Sequence, residues 1–301
     1  MWQQLLTQIQ QGNTKALART ISLVENEFEG HFSFLQNLPT STTPIIGITG
    51  PPGAGKSTLV DALIGEIISH HKKVGVLCVD PSSPFNLGAL LGDRIRMSQW
   101  YSHPNVFIRS LATRGSLGGL HPKIIEIADV MKAAPFDYII IETVGIGQSE
   151  IEIAGLADTT IVVLVPEAGD DVQTMKAGLM EIADVFVVNK ADRPGADVFA
   201  NNLKQMLLPG ARHTKVLQTT ASANVGIDVL YYAIVERNNS ALINNKHSWL
   251  LAEKAIHLIQ QHRMRDIDRK KIKDEIDKLT LTEEAFNIYS FVAEYTGTKK
   301  D

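Results

Sequence analysis

The densest chemistry in the chain lies in Gly50, Pro51, Pro52, Gly53, Ala54, Gly55, Lys56, Ser57 and Thr58. The pattern G-x-x-x-x-G-K-[ST] is that of a loop whose backbone N–H groups turn inward around a phosphate. Glycines permit the curl, and a helix starting directly after it adds its positive end. Lys56 would reach the β- and γ-phosphates, and the Ser57 hydroxyl is of the type that ligates Mg²⁺. Two acids stand at the ends of apolar runs: Asp80 closes KVGVLCVD and Glu142 closes DYIIIE. A carboxylate there can hold Mg²⁺ directly or through water, or orient an attacking water. Gly145, three residues after Glu142, could offer its N–H to a γ-phosphate and so sense hydrolysis.

A second group of residues concerns the base. DVFVVNKAD sets Asn189, Lys190 and Asp192 at the end of an apolar run. A carboxylate at Asp192 would accept from both N1–H and the exocyclic amine of guanine, whereas adenine would turn a lone pair toward it. Polar pairing of that kind discriminates by roughly 10⁴-fold. The turn after VLQT, with Thr220, Ala221 and Ser222, is the expected place for a backbone N–H to meet guanine O6. Together the two groups predict binding of GTP and GDP, with Mg²⁺, and hydrolysis of the γ-phosphate.

The elements that must position these residues are legible as alternating patterns. IIGIT, KVGVLCVD, VFIRS, DYIIIE, TTIVVLV, DVFVVNK and HTKVLQT are short β-branched runs separated by helix-length segments. Unbroken apolar strands of this kind imply a parallel sheet covered on both faces. The predicted fold is therefore α/β: a doubly wound, mostly parallel sheet over residues 44–235, with helical extensions at 1–43 and 236–301. Motifs at the carboxyl ends of such strands lie where ligands of open α/β sheets bind.

In the N-terminal extension Asn13 is the expected helix N-cap, with Leu17, Ile21 and Val24 on one face. In the C-terminal segment Trp249, Ala252, Ile256 and Ile259 form one apolar stripe. Ile272, Ile276 and Leu279 form a second, and Ala285, Ile288, Tyr289 and Val292 a third. Thr280 with Glu283, or Thr282 alone, is the predicted cap of the last helix. Such helices need a surface to bury against, in their own domain or in another copy of the chain.

Composition narrows the function classes. Hydrophobic residues are 44% and charged residues 21%, which excludes a disordered or collagen-like chain. The 29 basic and 33 acidic side chains leave a net charge of −4, and the last 66 residues mix twelve basic with eleven acidic groups. Neither figure calls for nucleic acid or an anionic membrane. Cys78 is the single cysteine, so no internal disulfide can form, and adjacent His70 and His71 read as the end of a helix. No stretch approaches the roughly 20 apolar residues of a membrane span. The N-terminus lacks the features of a secretory signal, so the expected location is the cytoplasm.

With these residues in hand, the sequence resembles the MeaB/ArgK-type GTPases, chaperones of methylmalonyl-CoA mutase and other adenosylcobalamin-dependent acyl-CoA mutases. The likeness covers about residues 12–235 and is carried by GNTKALARTISLVEN, GPPGAGKST, VDPSSP, GDRIRM, TRGSLGGL, ETVGIGQSE, PEAGDDVQ and NKAD. It implies a P-loop GTPase in which two protomers cooperate, with Asp80, Asp93 and Glu142 as the acids near Mg²⁺ and water and Asp192 reading guanine. It also implies that Pro166–Lys176 is an additional switch facing the mutase, whose cofactor loading the GTPase gates and protects. No glutamine stands where Ras-like GTPases place their water-orienting residue; Gln148 is near in sequence, without a fixed role. The alternatives are an ATPase or kinase linked to amino-acid transport, a metal-delivering GTPase, and a GTP-binding scaffold with vestigial hydrolysis. Metal delivery usually needs Cys/His clusters, which this sequence lacks.

Overall fold

The computed structural model describes residues 1–80, 97–113, 120–145, 149–168, 180, 182–207, 214–239, 252, 255–260, 262–282 and 286–297. The chain divides into two compact units, Met1–Leu251 and Ala252–Asp301. In the first unit, helices α1 (Trp2–Gln10), α2 (Thr14–Glu25) and α3 (His31–Gln36) precede strand β1 (Ile45–Thr49). There follow α4 (Lys56–Ser69), β2 (Val74–Asp80), β3 (Val106–Ala112), α5 (Ile124–Lys132), β4 (Tyr138–Glu142), α6 (Ser149–Leu156) and β5 (Thr159–Leu164). The unit continues with β6 (Val185–Asn189), α7 (Ala196–Met206), β7 (Lys215–Thr219) and α8 (Ile227–Asn239). The second unit carries α9 (Arg269–Thr282) and α10 (Ile288–Thr296).

All seven apolar runs of the sequence are strands. They pair in parallel in the order β3-β2-β4-β1-β5-β6-β7. The chain moves to one side of β1 to form β2 and β3, returns to β4, and then crosses to β5 on the other side. This reversal makes the carboxyl end of β1 a topological switch point, where a crevice opens for ligand. Alternation along each strand covers both faces. Ile46, Ile48, Val76, Cys78 and Ile140 pack with Leu59, Leu63 and Ile67 of α4 and Leu230 and Ile234 of α8. Ile45, Leu77, Val79, Ile139 and Ile141 pack on the opposite face with α5, α6 and the N-terminal helices.

The N-terminal forty residues form three helices, not one continuous run, because Gly12 and Gly30 adopt left-handed φ values of 83° and 82° that end one helix and begin another. Asn13 caps α2 as its residue type predicts: its side chain accepts from the Ala16 N–H at 3.0 Å. Leu17, Ile21 and Val24 are buried in the core shared with the sheet. Ion pairs bolt the end of α2 to the same face. Glu25 meets Arg109 of β3 at 3.3 Å and His121 at 3.6 Å, and Glu27 meets Lys123 at 2.6 Å. His121 Nδ1 accepts from the Lys123 N–H, and its Nε2 faces Glu25.

In the second unit, Ile272, Ile276 and Leu279 of α9 are half-buried, whereas Ile288, Tyr289 and Val292 of α10 are exposed. The cap of α10 differs from the sequence expectation. Asn287 caps it, accepting from Tyr289 N–H and Ser290 N–H. Thr280 instead lies inside α9, where its hydroxyl donates to the Ile276 carbonyl at 2.9 Å. A threonine can satisfy itself that way within a helix, while asparagine is the stronger cap. Trp249, Ala285 and Glu283 lie outside the described residues. Among the described residues no helix is long and apolar enough to cross a membrane.

Candidate active site

The phosphate loop leaves β1 in the centre of the sheet and enters α4 at Lys56. Two close approaches shape it. Gly50 has φ of 138°, and a Cβ there would lie 2.1 Å from the Val163 carbonyl oxygen of β5. Gly145 has φ of 81°, and its Cβ would lie 2.0 Å from the Gly50 carbonyl oxygen and 2.5 Å from Lys56 Nζ. Only glycine fits either place. The segment after β4 is therefore pressed against the phosphate loop, and the lysine ammonium sits beside both.

Lys56 is buried, and its Nζ donates to the carbonyls of Gly50 at 2.9 Å and Pro51 at 3.2 Å. Ser57 Oγ donates to Glu142 Oε1 at 2.7 Å, a buried bond that ties the start of α4 to the end of β4. Beside it, Thr143 Oγ1 donates to Thr49 Oγ1 at 2.9 Å. Asp80 ends β2 two residues beyond Cys78, which is in register with Glu142, and its carbonyl accepts from the Thr113 N–H. Both acids are buried at the same sheet edge as the phosphate loop. Asp93 and Gln148, together with residues 169–176 of the expected additional switch, lie outside the described residues.

The groups at this edge suited to a hard cation are the Ser57 hydroxyl and the Asp80 and Glu142 carboxylates, and no group of three or more His, Cys, Asp or Glu gathers among the described residues. Such a sparse, hard donor set fits Mg²⁺, which keeps several waters and takes phosphate oxygens instead of filling a protein cage.

The base side is built around Asn189, which is 2% exposed. Its Nδ2 donates to the Ala54 carbonyl at 2.9 Å. Its Oδ1 accepts from Thr219 Oγ1 at 3.1 Å and from the Ala221 N–H at 3.2 Å. The residue is thus a strut joining the phosphate loop to the turn after β7. The Ala221 N–H, one of the amides expected near guanine O6, is engaged by Asn189. Lys190 takes a left-handed φ of 57° and its Nζ donates to the Gly53 carbonyl at 2.7 Å. Asp192 projects from an exposed turn anchored by the Ala191 N–H on the Thr219 carbonyl. Thr220 pairs with Val225 across the following turn, and Ser222 is exposed.

One contact at this rim is invisible in the sequence. Arg193, directly after Asp192, pairs with Glu167 just beyond β5. The Arg193 hydrogen bond holds the Glu167 carboxyl below its ordinary value. The two residues are 26 positions apart and belong to different loops, so no local pattern announces them.

Comparison with known proteins agrees with this geometry. The model of the family "Methylmalonyl Co-A mutase-associated GTPase MeaB" matches residues 17–275. A Pyrococcus abyssi protein named as a GTPase is 44% identical over 285 residues, 92% of this chain and 83% of the relative. GTPase ArgK of Escherichia coli is 32% identical over 298 residues, 94% and 87% of the two chains. The fused isobutyryl-CoA mutase of Geobacillus kaustophilus is 34% identical over 278 residues, 85% of this chain but 25% of that protein. Among solved structures, one titled as an LAO/AO transport system kinase superposes with a TM-score of 0.69 at 24% identity, covering 99% of this chain and 98% of that one. That likeness establishes the shared fold. A P-loop on a seven-stranded parallel sheet, together with relatives named as GTPases along most of the chain, makes this protein a GTPase, and it belongs to the methylmalonyl-CoA mutase-associated GTPase family MeaB.

Proposed function

We propose that this GTPase serves an adenosylcobalamin-dependent acyl-CoA mutase of the methylmalonyl-CoA mutase type, gating entry of intact cofactor and protecting or rescuing the enzyme. The observation that carries the reading is the Geobacillus fusion, in which a segment like this chain is a quarter of a mutase polypeptide. Covalent fusion holds two modules at high effective concentration, which is of use only where they act on one another. The family description points to the same partner.

In the hydrolytic step, the backbone N–H groups of the phosphate loop and the start of α4 bind the phosphates. Lys56 exchanges the Gly50 and Pro51 carbonyls for β- and γ-phosphate oxygens. Ser57, Asp80, Glu142 and Asp93 are the groups that would hold Mg²⁺, whose charge neutralises phosphate oxygens. Glu142 or Asp80 orients the water that attacks γ-phosphorus. The bond to the β–γ bridging oxygen breaks, GDP leaves, and the water's proton ends on phosphate or its surroundings. Gly145 offers its N–H on the γ side. Asp192, with Lys190 over the phosphate loop and the Thr220–Ser222 turn beneath, reads guanine. We place the protein in the cytoplasm, and we read it as a homodimer because α10 leaves apolar side chains exposed that a second copy would cover.

The test is turnover of GTP and ATP by the purified protein, with and without an adenosylcobalamin-dependent mutase from the same organism. GTP-selective turnover that rises with the mutase is expected. Turnover indifferent to every such mutase would remove the partner assignment, and preference for ATP would move the reading to a transport-linked kinase.

A further inference from the structure

Strands β1 and β4 stay joined one step beyond their last backbone pair. That pair is Ile48 with Glu142, and the Thr143 N–H still donates to the Ile48 carbonyl at 3.0 Å. At the next opposed position the link passes to side chains, as Thr143 Oγ1 donates to Thr49 Oγ1 at 2.9 Å. Both threonines are buried. On its other flank Thr49 is held by the backbone, in register with Val162 of β5. The hydroxyl pair thus closes the β4 side of β1 at the residue before Gly50, where the phosphate loop departs.

The face on which this pair lies separates it from the chemistry it borders. Alternation along β4 puts Thr143 on the face of Ile139 and Ile141, in the apolar core beneath α5, α6 and the N-terminal helices. Glu142 takes the opposite face and accepts from Ser57 Oγ at 2.7 Å. Two valines would fill the apolar wall with nearly the same shape. Replacing both members of a buried hydrogen bond by apolar groups of that shape is close to neutral for stability, so folding alone does not call for the hydroxyls. What a hydrogen bond adds to apolar contact is direction and a fixed distance. Thr143 stands between Glu142 and Gly145, and a Cβ at Gly145 would lie 2.0 Å from the Gly50 carbonyl oxygen and 2.5 Å from Lys56 Nζ. We propose that Thr143 is a positioning residue for GTP hydrolysis: through Thr49 it fixes residues 142–145 against the phosphate loop, so that the Glu142 carboxylate and the Gly145 N–H address the same γ-phosphate. The inference rests on the hydrolytic reading of Glu142 and Gly145 and is independent of the mutase.

The experiment uses the full chain with two variants whose stability and activity should move in opposite directions. Thr49→Val/Thr143→Val should melt within about 2 °C of the parent, yet hydrolyse bound GTP about tenfold more slowly in a single turnover, the worth of one directed hydrogen bond. Thr143→Ser loses a buried methyl and should melt about 2–4 °C lower, but it keeps the hydroxyl and should stay within about twofold of the parental rate. Affinity for GDP should change by less than about twofold in both, since the pair acts on the γ side. A double-valine protein that melts far below the parent or hydrolyses GTP at the parental rate would overturn the proposal. So would a serine variant whose rate falls with its stability, or GDP affinity that falls in step with hydrolysis. Glu142→Gln, made alongside, keeps the two readings apart. Slow hydrolysis there with a parental rate in the double-valine protein removes the role of Thr143 alone, whereas parental rates in both remove the reading of Glu142 as well.

Discussion

Asn189→Ala tests whether the phosphate loop and the base loop are one mechanical piece. The side chain is almost fully buried and makes three hydrogen bonds, to the Ala54 carbonyl, the Thr219 hydroxyl and the Ala221 N–H. Each contributes about 1 kcal/mol net, and truncation leaves a buried carbonyl and a buried N–H without their partner. The Thr219 hydroxyl can rotate elsewhere, so the sum is about 3 kcal/mol, not more. Against a typical domain stability of about 5–15 kcal/mol that is a large share. For a unit of this size it corresponds to a midpoint lowered by about 6–12 °C. Calorimetry or urea unfolding without nucleotide measures it directly, and release of fluorescent GDP, expected to accelerate, shows the effect on binding. Asn189→Asp is the informative control. It retains acceptors for Thr219 and Ala221 but turns an oxygen toward the Ala54 carbonyl, replacing attraction by repulsion. An Asn189→Ala protein within about 0.5 kcal/mol of the parent, with unchanged GDP release, would refute the strut.

Asp192→Asn should weaken GTP by at least about a hundredfold and improve xanthine nucleotides, whose C2 oxygen replaces the guanine amine; a competition titration reads the exchange, and intact GTP affinity would remove Asp192 from the base site. Gly145→Ala forces a side chain into left-handed backbone at a cost of about 1–2 kcal/mol and into the Gly50 carbonyl, 2.0 Å away. Turnover should collapse while the fold survives, and a parental rate would mean that Gly145 does not touch the reacting phosphate. Glu27 offers a pH signature. The Lys123 hydrogen bond depresses its carboxyl, so its contribution is present above the unfolded value of about 4.3 and is lost as pH falls through the lower folded value. Because Glu27 is exposed, the difference between parent and Glu27→Gln should be about 0.5 kcal/mol near neutrality and vanish in strong acid; a difference that persists there would contradict the sign.

The parts of this molecule that were legible in sequence are those dictated by backbone chemistry. Seven β-branched runs had to be strands, and their unbroken burial on both faces required helices on either side. GPPGAGKST could be placed because a strand, a glycine loop and a helix N-terminus occur in one order. Asn13 was readable as a cap because its bond spans three residues. The last helix was misread at its start for a related reason. Thr280 and Thr282 have cap chemistry, but the charged stretch before them sustains α9 through Thr282, and Asn287 is left to begin the next helix.

What sequence could not supply is the partner of each polar group across the fold. Asn189 looks like a base contact because NKxD names it so, yet its amide reaches a carbonyl 135 residues upstream. Ser57 looks like a metal ligand, and its hydroxyl is found on Glu142, 85 residues downstream. These roles are compatible. The Ser57 hydroxyl, held by a carboxylate, stands at the same sheet edge as the phosphate loop, and Lys56 on two carbonyls is likewise kept among oxygens. The side chains of the phosphate loop are thus held by polar partners within the fold, and under the proposed function the phosphates would take over from some of those partners. Preorganised dipoles of this kind lower the reorganisation needed when charge develops on the transferred phosphoryl group. The phosphate loop and the start of α4 gather these ties: Lys56 holds the loop itself, Ser57 reaches the end of β4, and Asn189 at the end of β6 reaches the Ala54 carbonyl.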